Sequence, residues 1–558
     1  MQKNSEGNSR KFKIIGLGAA ALVLVAAIVL AVIMLSNPHL AVPGNYRTIQ
    51  SAIDAAKDGD VIVVQPGVYY EQIDFLGKNI TVQSTDPENA EIVASTVIDG
   101  RKRSSVVTFR SGEGSGAVLS GFTITGGVGT RETVTQVIDD EEFVDEGFFG
   151  GGIFITGGSS PTVINNVIKG NLVDKDGGGI AIHDNSNPTI RNNIIEANRA
   201  FNGGGITILK SSPLIDSNVF RDNMASYNGG AIMVDFGASP SIGANEIHNN
   251  SSTNGGAIAV WYADPLIAAN SIYRNSAIWF GGGIALFDSF PTIDSNDISR
   301  NSAVNNGGGI AVVEKSEAVI TNNVINNNYS DENGGGIAVL EKSTAVINDN
   351  IISNNAVLAG GGGVYVNDAK ADLSGNNISE NLVQQDGGGV AAINSSTLTI
   401  INNIIDDNAA GFLGGGLVVG GDTTVTMEDN IINGNRANAG GAMIIQRSSV
   451  TLNRNTITDN LAINGSGGGM LVVAGSTALV TGNTFISNFA VELGGAVVAY
   501  DGSTVTLRGN DFTGNEASLG GSFIAVGSGV VDNGDPDDNT YTGNIPDDVE
   551  AEETEEEE

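Results

Sequence analysis

A Gly-Gly-(Gly/Ala/Ser) triplet begins at Gly150 and returns at Gly177, Gly203, Gly229 and onward to Gly520, each step being 26 or 27 residues. A fixed period of this length marks a stacked repeat architecture, in which each unit buries its apolar face only against its neighbours. Each triplet is followed by Asn-x-(Ile/Phe/Tyr)-x-x-Asn, as in Asn218–Asn223 and Asn403–Asn408. No segment of the repeats places apolar residues at helical spacing. The apolar runs are short and bounded by Gly, Asn, Asp and Ser, which are strand and turn signals.

Within one unit three short strands are expected, at 180–182, 189–190 and 193–195. Three strands and three turns make one coil, and coils should stack at about 4.8 Å, the spacing of paired strands. Alternation along a strand sends Ile180 and Ile182 inward and Ala181 outward. The same parity places Ile310 and Val312 inside and Ala311 on an exposed face. Glycine provides positive φ and close backbone approach at a corner. The repeated Asn suits left-handed turns and can hydrogen-bond to its counterpart in the next coil. A residue type present in every coil is scaffold. The expected fold class is therefore all-β, a right-handed parallel β-helix, with an N-terminal transmembrane helix argued below.

These repeats resemble right-handed parallel β-helix proteins of the pectin-lyase-like superfamily. Phe220-Arg221-Asp222-Asn223 with Gly229-Gly230-Ala231-Ile232, and Phe485–Asn488 with Gly494-Gly495-Ala496-Val497, are similar to the FxxN and GGA(I/V) motifs of Pmp-type outer-membrane proteins. The resemblance spans about 500 residues and implies a fold rather than an activity. Thr48–Ile53 with Gly67–Glu71 is similar to the opening of pectin methylesterases. The glutamine, aspartate and arginine motifs those enzymes need do not follow.

Along the chain, residues 1–13 carry four basic side chains against Glu6 and form a short cytoplasmic tail. Ile14–Leu35 runs 22 residues without charge, about 33 Å as a helix, enough for a bilayer core. Basic residues precede it, so the N-terminus is expected in the cytoplasm and the repeats outside, anchored in the cell membrane by a single pass. Residues 36–46 form a linker, and 47–126 a cap helix with the first coils. The segment 127–149 is an acidic insert read as a surface loop, residues 150–545 are the repeats, and 546–558 a disordered acidic tail.

The chain has no cysteine and a formal net charge of −36. Disulfides and thiolate metal sites are excluded, and nucleic acid is disfavoured as a partner. No cofactor is expected beyond low-affinity calcium on an acidic surface. The three histidines, His39, His183 and His248, show no metal-ligand spacing. Polygalacturonase-like motif sets are absent. Asp406-Asp407 is a carboxylate pair of suitable type, but it lies in a turn that is polar in every coil.

One non-repetitive stripe stands out. Columns 26 residues apart bring together Asp235, Trp261 and Phe287, and beside them Phe236, Tyr262 and Asp288, with Asp264 on the rim. Contiguous exposed aromatics mark partner surfaces. These seven residues are the candidate ligand-binding set, and the expected function is adhesion to a glycan or a surface protein, or a structural role in a cell envelope. The alternative is a lyase or hydrolase acting on acidic polysaccharide. No catalytic residues are assigned.

Overall fold

The computed structural model describes residues 40–138, 141–521, 523–526, 528–532, 538–545 and 549–551. The repeats form one continuous parallel solenoid in which every strand pairs with the equivalent strand one coil on. From the glycine corner, Ile180–Ile182 pairs with Ile206–Leu209, Thr189–Arg191 with Leu214–Asp216, and Ile194–Glu196 with Val219–Arg221. The first of these sheets has 18 strands and the second 19.

A coil has four strands over most of the rod rather than three. A fourth sheet of 13 strands runs from Arg199–Asn202 to Glu516–Ala517. Its inward position is Ala or Ser in most coils, as at Ala200, Ala225, Ser252, Ala277 and Ala303, and Val at Val357 and Val383. That leaves no apolar alternation to read. The fourth strand folds back over the glycine corner, which explains the triplet. Gly177 has φ +72°, and a Cβ on Gly178 would lie 2.5 Å from the carbonyl oxygen of Gly204 and 2.7 Å from that of Arg199. Only glycine permits both the turn and the contact.

The interior is filled by the expected Ile and Val side chains and by two files of asparagine. Asn193 Nδ2 donates to Asn218 Oδ1 at 3.0 Å and to the carbonyl of Val163 at 2.9 Å, while its backbone N–H donates to the same Asn218 oxygen. Asn198 and Asn223 repeat the arrangement in the second file. Each amide thereby satisfies buried donors and acceptors at a corner, where the strand ladder cannot.

The outward face of the first sheet is not solvent-facing. Ala311 is fully buried, as are Ala181 and Ala285. Parity sends them outward as expected, but a second apolar layer covers them. That layer contains Phe287, Val313, Leu340 and Tyr365, with Phe280, Leu413, Ala439 and Leu493 packed on it from the positions just before the glycine corners. Exposure of Ala311 is thus corrected by a long-range contact that strand alternation does not register.

The acidic insert, read as a loop, contains an antiparallel hairpin. Thr130–Ile138 pairs with Glu141–Phe149 in unbroken register, Thr130 opposite Phe149 and Ile138 opposite Glu141. Val134 and Phe149 pack with Phe154, Ala181 and Leu209, so the hairpin covers the first coils as the outer layer covers the later ones. Lys210 Nζ ties it down by donating to the carbonyl of Thr135.

At the N-terminal end a helix, Ile49–Ala55, caps the core with Ile49, Ala52 and Ile53. Thr48 caps it, and the Glu71 carboxylate accepts from the N–H groups of Ile49 and Gln50, both at 3.0 Å. A second helix, Ala90–Ser95, is an insertion between strands. The expected transmembrane helix is corrected to this extent: among the described residues no helix is long and apolar enough to cross a membrane. Segment 14–35, on which that expectation fell, lies outside the described residues, as does most of the 546–558 tail.

Candidate functional site

The seven residues singled out by their columns do come together, on the outer face of the first sheet and the corner after it. Trp261 stacks on Phe287 with centroids 4.3 Å apart, and Phe236 stacks on Tyr262 at 6.5 Å. Phe287 is buried, Trp261 is half-buried against the outer apolar layer, and its indole nitrogen is enclosed without a hydrogen-bond partner. Tyr262 and Asp264 are exposed, and Asp288 is partly so. Burial pushes the Asp235 carboxyl well above its usual range; the Phe236 N–H opposes this and Asp176 adds to it. On the same face His183 is fully enclosed between the edges of Phe149 and Phe154, with neither ring nitrogen hydrogen-bonded. Burial lowers it to about 4, against the pull of Asp184.

A different surface is open. On the fourth sheet a trough of about 510 Å³ crosses five coils, about 19 Å at one strand spacing per coil. Its floor is Ala225, Ser252, Ala277 and Ala303. One wall is the file Met224, Ser251, Ser276, Ser302, Tyr329, and the other is Ser226, Thr253, Ile278, Val304, Asp331. These walls are residues i and i+2 about a residue that turns in, within one strand in the first three coils and just past the strand end at Val304 and Asp331. The hydroxyls of Ser251, Ser276 and Ser302 have no partner among the described residues. Ile278, Val304 and Met224 are exposed. Beside the second wall stand exposed Trp279 and the stacked pair Phe201–Tyr227, ring centroids 5.6 Å apart. Sequence reading missed the trough. Its signal is the serine file at steps of 25 and 26 residues, each serine four or five residues before a glycine triplet.

A third feature is acidic. Glu380, Asp406 and Asp407 share the corner between the third and fourth sheets with Arg436. Burial, then Asp406 and Glu380, raise the Asp407 carboxyl, and Arg436 opposes them. Asp407 is nonetheless exposed, so solvent screens the cluster and no enclosed acid–base pair forms. Among the described residues no group of three or more His, Asp or Glu side chains is placed to hold a metal ion.

Stacked coils, four parallel sheets and a file of glycine corners agree with the comparison by sequence. The family described as a right handed beta helix region matches residues 81–242, 215–373, 326–485 and 362–544. The chain belongs to this right-handed β-helix family. No curated protein matches it in sequence. Among solved structures it is similar to a PL6 family alginate lyase, AlyGC, at 11% identity over 90% of this chain and 100% of that one, with a TM-score of 0.19. It is also similar to the receptor-binding tailspike of bacteriophage Det7, at 13% identity over 75% of this chain and 74% of that one, with a TM-score of 0.18. Scores this low bear on neither activity nor ligand. The function of this β-helix has to be read from its own surfaces.

Proposed function

We propose that this β-helix is a binding scaffold that holds a linear, uncharged glycan along the trough of its fourth sheet. The supporting observation is the row of unpartnered hydroxyls of Ser251, Ser276 and Ser302 in three successive coils, facing Thr253 and the exposed Ile278 and Val304, with aromatic rings beside them. A sugar ring has apolar faces and a rim of hydroxyls. A strand spacing is close to the length of one sugar residue, so successive sugars meet equivalent hydroxyls in successive coils. Binding sites of this kind combine an apolar lining with a few placed polar groups, and Trp and Tyr dominate their energetics. The net charge of −36 disfavours a polyanionic ligand. Among the lining residues Asp331 alone is ionised, which favours holding a glycan over cleaving it.

The test is a glycan array on the purified full-length chain, followed by calorimetry on the ligands found and on Ser276→Trp, which fills the trough from an exposed position. A tenfold or greater loss of affinity at unchanged melting temperature is expected. Failure to bind any neutral glycan, or full binding by Ser276→Trp, would overturn the reading. A second reading, cleavage of acidic polysaccharide, is favoured only by the Glu380–Asp406–Asp407 corner with its Arg436. It requires release of new chain ends by the purified protein and loss of that release in Asp407→Asn.

A further inference from the structure

We infer that the trough recognises the end of a glycan chain rather than its interior, with Tyr329 as the platform for the terminal sugar and Asp331 as its hydroxyl acceptor. This rests on the glycan reading of the trough and adds what that reading leaves open. The first wall runs Ser251, Ser276, Ser302 and then jumps in size to Tyr329. Tyr329 opens the strand Tyr329–Ser330 and Asp331 directly follows it, and the phenol donates to Asp331 Oδ1 at 2.7 Å. The ring therefore lies across the strand above buried Ser330 and bars the trough from wall to wall. The following coil, at Ala356–Val357, contributes nothing to the lining. The opposite end has no such bar. Met224 stands there facing the small Ser226, and the Phe201–Tyr227 stack lies beyond.

The Tyr329–Asp331 pair thus closes one end. The closed end carries the chemistry that separates a terminus from an internal unit. The Tyr329 phenol occupies one carboxylate oxygen of Asp331, and the second oxygen has no partner among the described residues. The hydrogen bond to Asp331 also raises the phenol above its usual value, so it stays a donor across the neutral range. A terminal sugar keeps the hydroxyl that an internal sugar has spent in its glycosidic bond, and that hydroxyl can donate to the free oxygen. An internal sugar in the same place has no hydroxyl at that position to donate. Once the bound chain covers the partly exposed Asp331, a ligand that lacks this hydroxyl leaves the carboxylate oxygen unpaired and binds less well. The partly exposed ring supplies the stacking face for that last sugar.

The experiment uses the full-length chain with β-1,4-linked glucose and N-acetylglucosamine oligomers, from disaccharide to octasaccharide. Each is uncapped, methylated at its reducing end, or methylated at its non-reducing end hydroxyl. The expected result is an affinity that rises to about the tetrasaccharide and then levels off, with a tenfold or greater loss for one of the two caps and none for the other. Tyr329→Ala opens the bar and should let the capped oligomers bind as well as the uncapped ones. Should that variant fold poorly, Asp331→Ala, which removes only the acceptor, should equally erase the difference between capped and uncapped. Equal binding of both capped series by the unaltered protein would overturn end recognition and leave the trough reading standing, provided Ser276→Trp still abolishes binding. Binding of neither oligomer series would overturn both.

Discussion

Trp261 lies nearly parallel on Phe287, one coil further along the rod, with ring centroids 4.3 Å apart and planes 19° apart. Phe287 is in turn buried against the edge of Phe280. The three rings open the outer apolar layer that continues through Val313, Leu340 and Tyr365. Aromatic side chains here hold one layer of the rod to another, and the surface they leave free is limited to the rims at Tyr262 and Trp279.

Trp261→Ala should accordingly cost stability, about 2 kcal/mol, from lost burial and lost stacking. Trp261→Phe keeps a ring over Phe287 and removes an enclosed indole N–H that has no acceptor. It should cost less than half as much, because an unpaired buried donor carries its own penalty. Urea unfolding of the two variants checks this. Equal losses would place the contribution of Trp261 outside the stack.

Inward and outward positions of the first sheet should respond alike to charge. Ile310→Asp and Ala311→Asp each bury a carboxylate without a partner, one in the solenoid interior and one under the outer layer. Each is expected to lose several kcal/mol. Val319→Asp, on the exposed face of the second sheet, should stay within about 0.5 kcal/mol. Thermal melts of the three variants suffice, and a stable Ala311→Asp would show that the outer layer is not closed over that coil.

The contrast between Ala311 and Val319 shows how far the sequence could be read. Ile180/Ile182 and the Asn193 and Asn198 files were legible because their signal is local and returns every 26 or 27 residues. The fourth strand was not, because one inward Ala, Ser or Val per coil cannot alternate with anything. Burial of Ala311 belongs to an outer layer assembled from many coils, and a small outward residue looks the same in sequence whether covered or bare. The hairpin was hidden by its charge, since Glu132 and Glu146 mark a solvated strand as readily as a loop. In the candidate site, column arithmetic placed Trp261 beside Phe287 correctly, while the exposure that makes a binding surface belongs to the serine trough.

Asp235 should make the fold less stable as pH rises. Its carboxyl is raised by burial in the folded chain, so the folded state favours the protonated form. The stability it permits is full below the ordinary carboxylate range and declines as pH climbs from there toward the raised folded value. Asp235→Asn keeps the shape and removes the charge. Its midpoint in urea should exceed that of the unaltered protein at pH 7, and the gap should close on acidification to below the ordinary range. A gap of equal size at both pH values would mean the gain is packing rather than ionisation.

His183 should act in the opposite direction. Enclosed between Phe149 and Phe154 with neither nitrogen bonded, its ring is held at about 4, below the ordinary histidine value of 6.5, and the Asp184 charge recovers only part of the shift. The folded chain keeps the ring neutral while the unfolded chain accepts the proton first. Stability is therefore full above pH 6.5 and falls as pH drops toward about 4, by about 3 kcal/mol for a shift of this size. His183→Leu fills the same space between the two phenylalanines and has nothing to protonate. Urea unfolding at neutral pH and near pH 4 should give a steep loss for the unaltered protein and a shallower one for His183→Leu. Because the ring packs against Phe149 at the base of the hairpin, protection of the hairpin amides from hydrogen exchange should weaken over the same pH interval in the unaltered protein alone. If both proteins lose stability in parallel, the acid response lies in the carboxylates of the surface and not in this histidine.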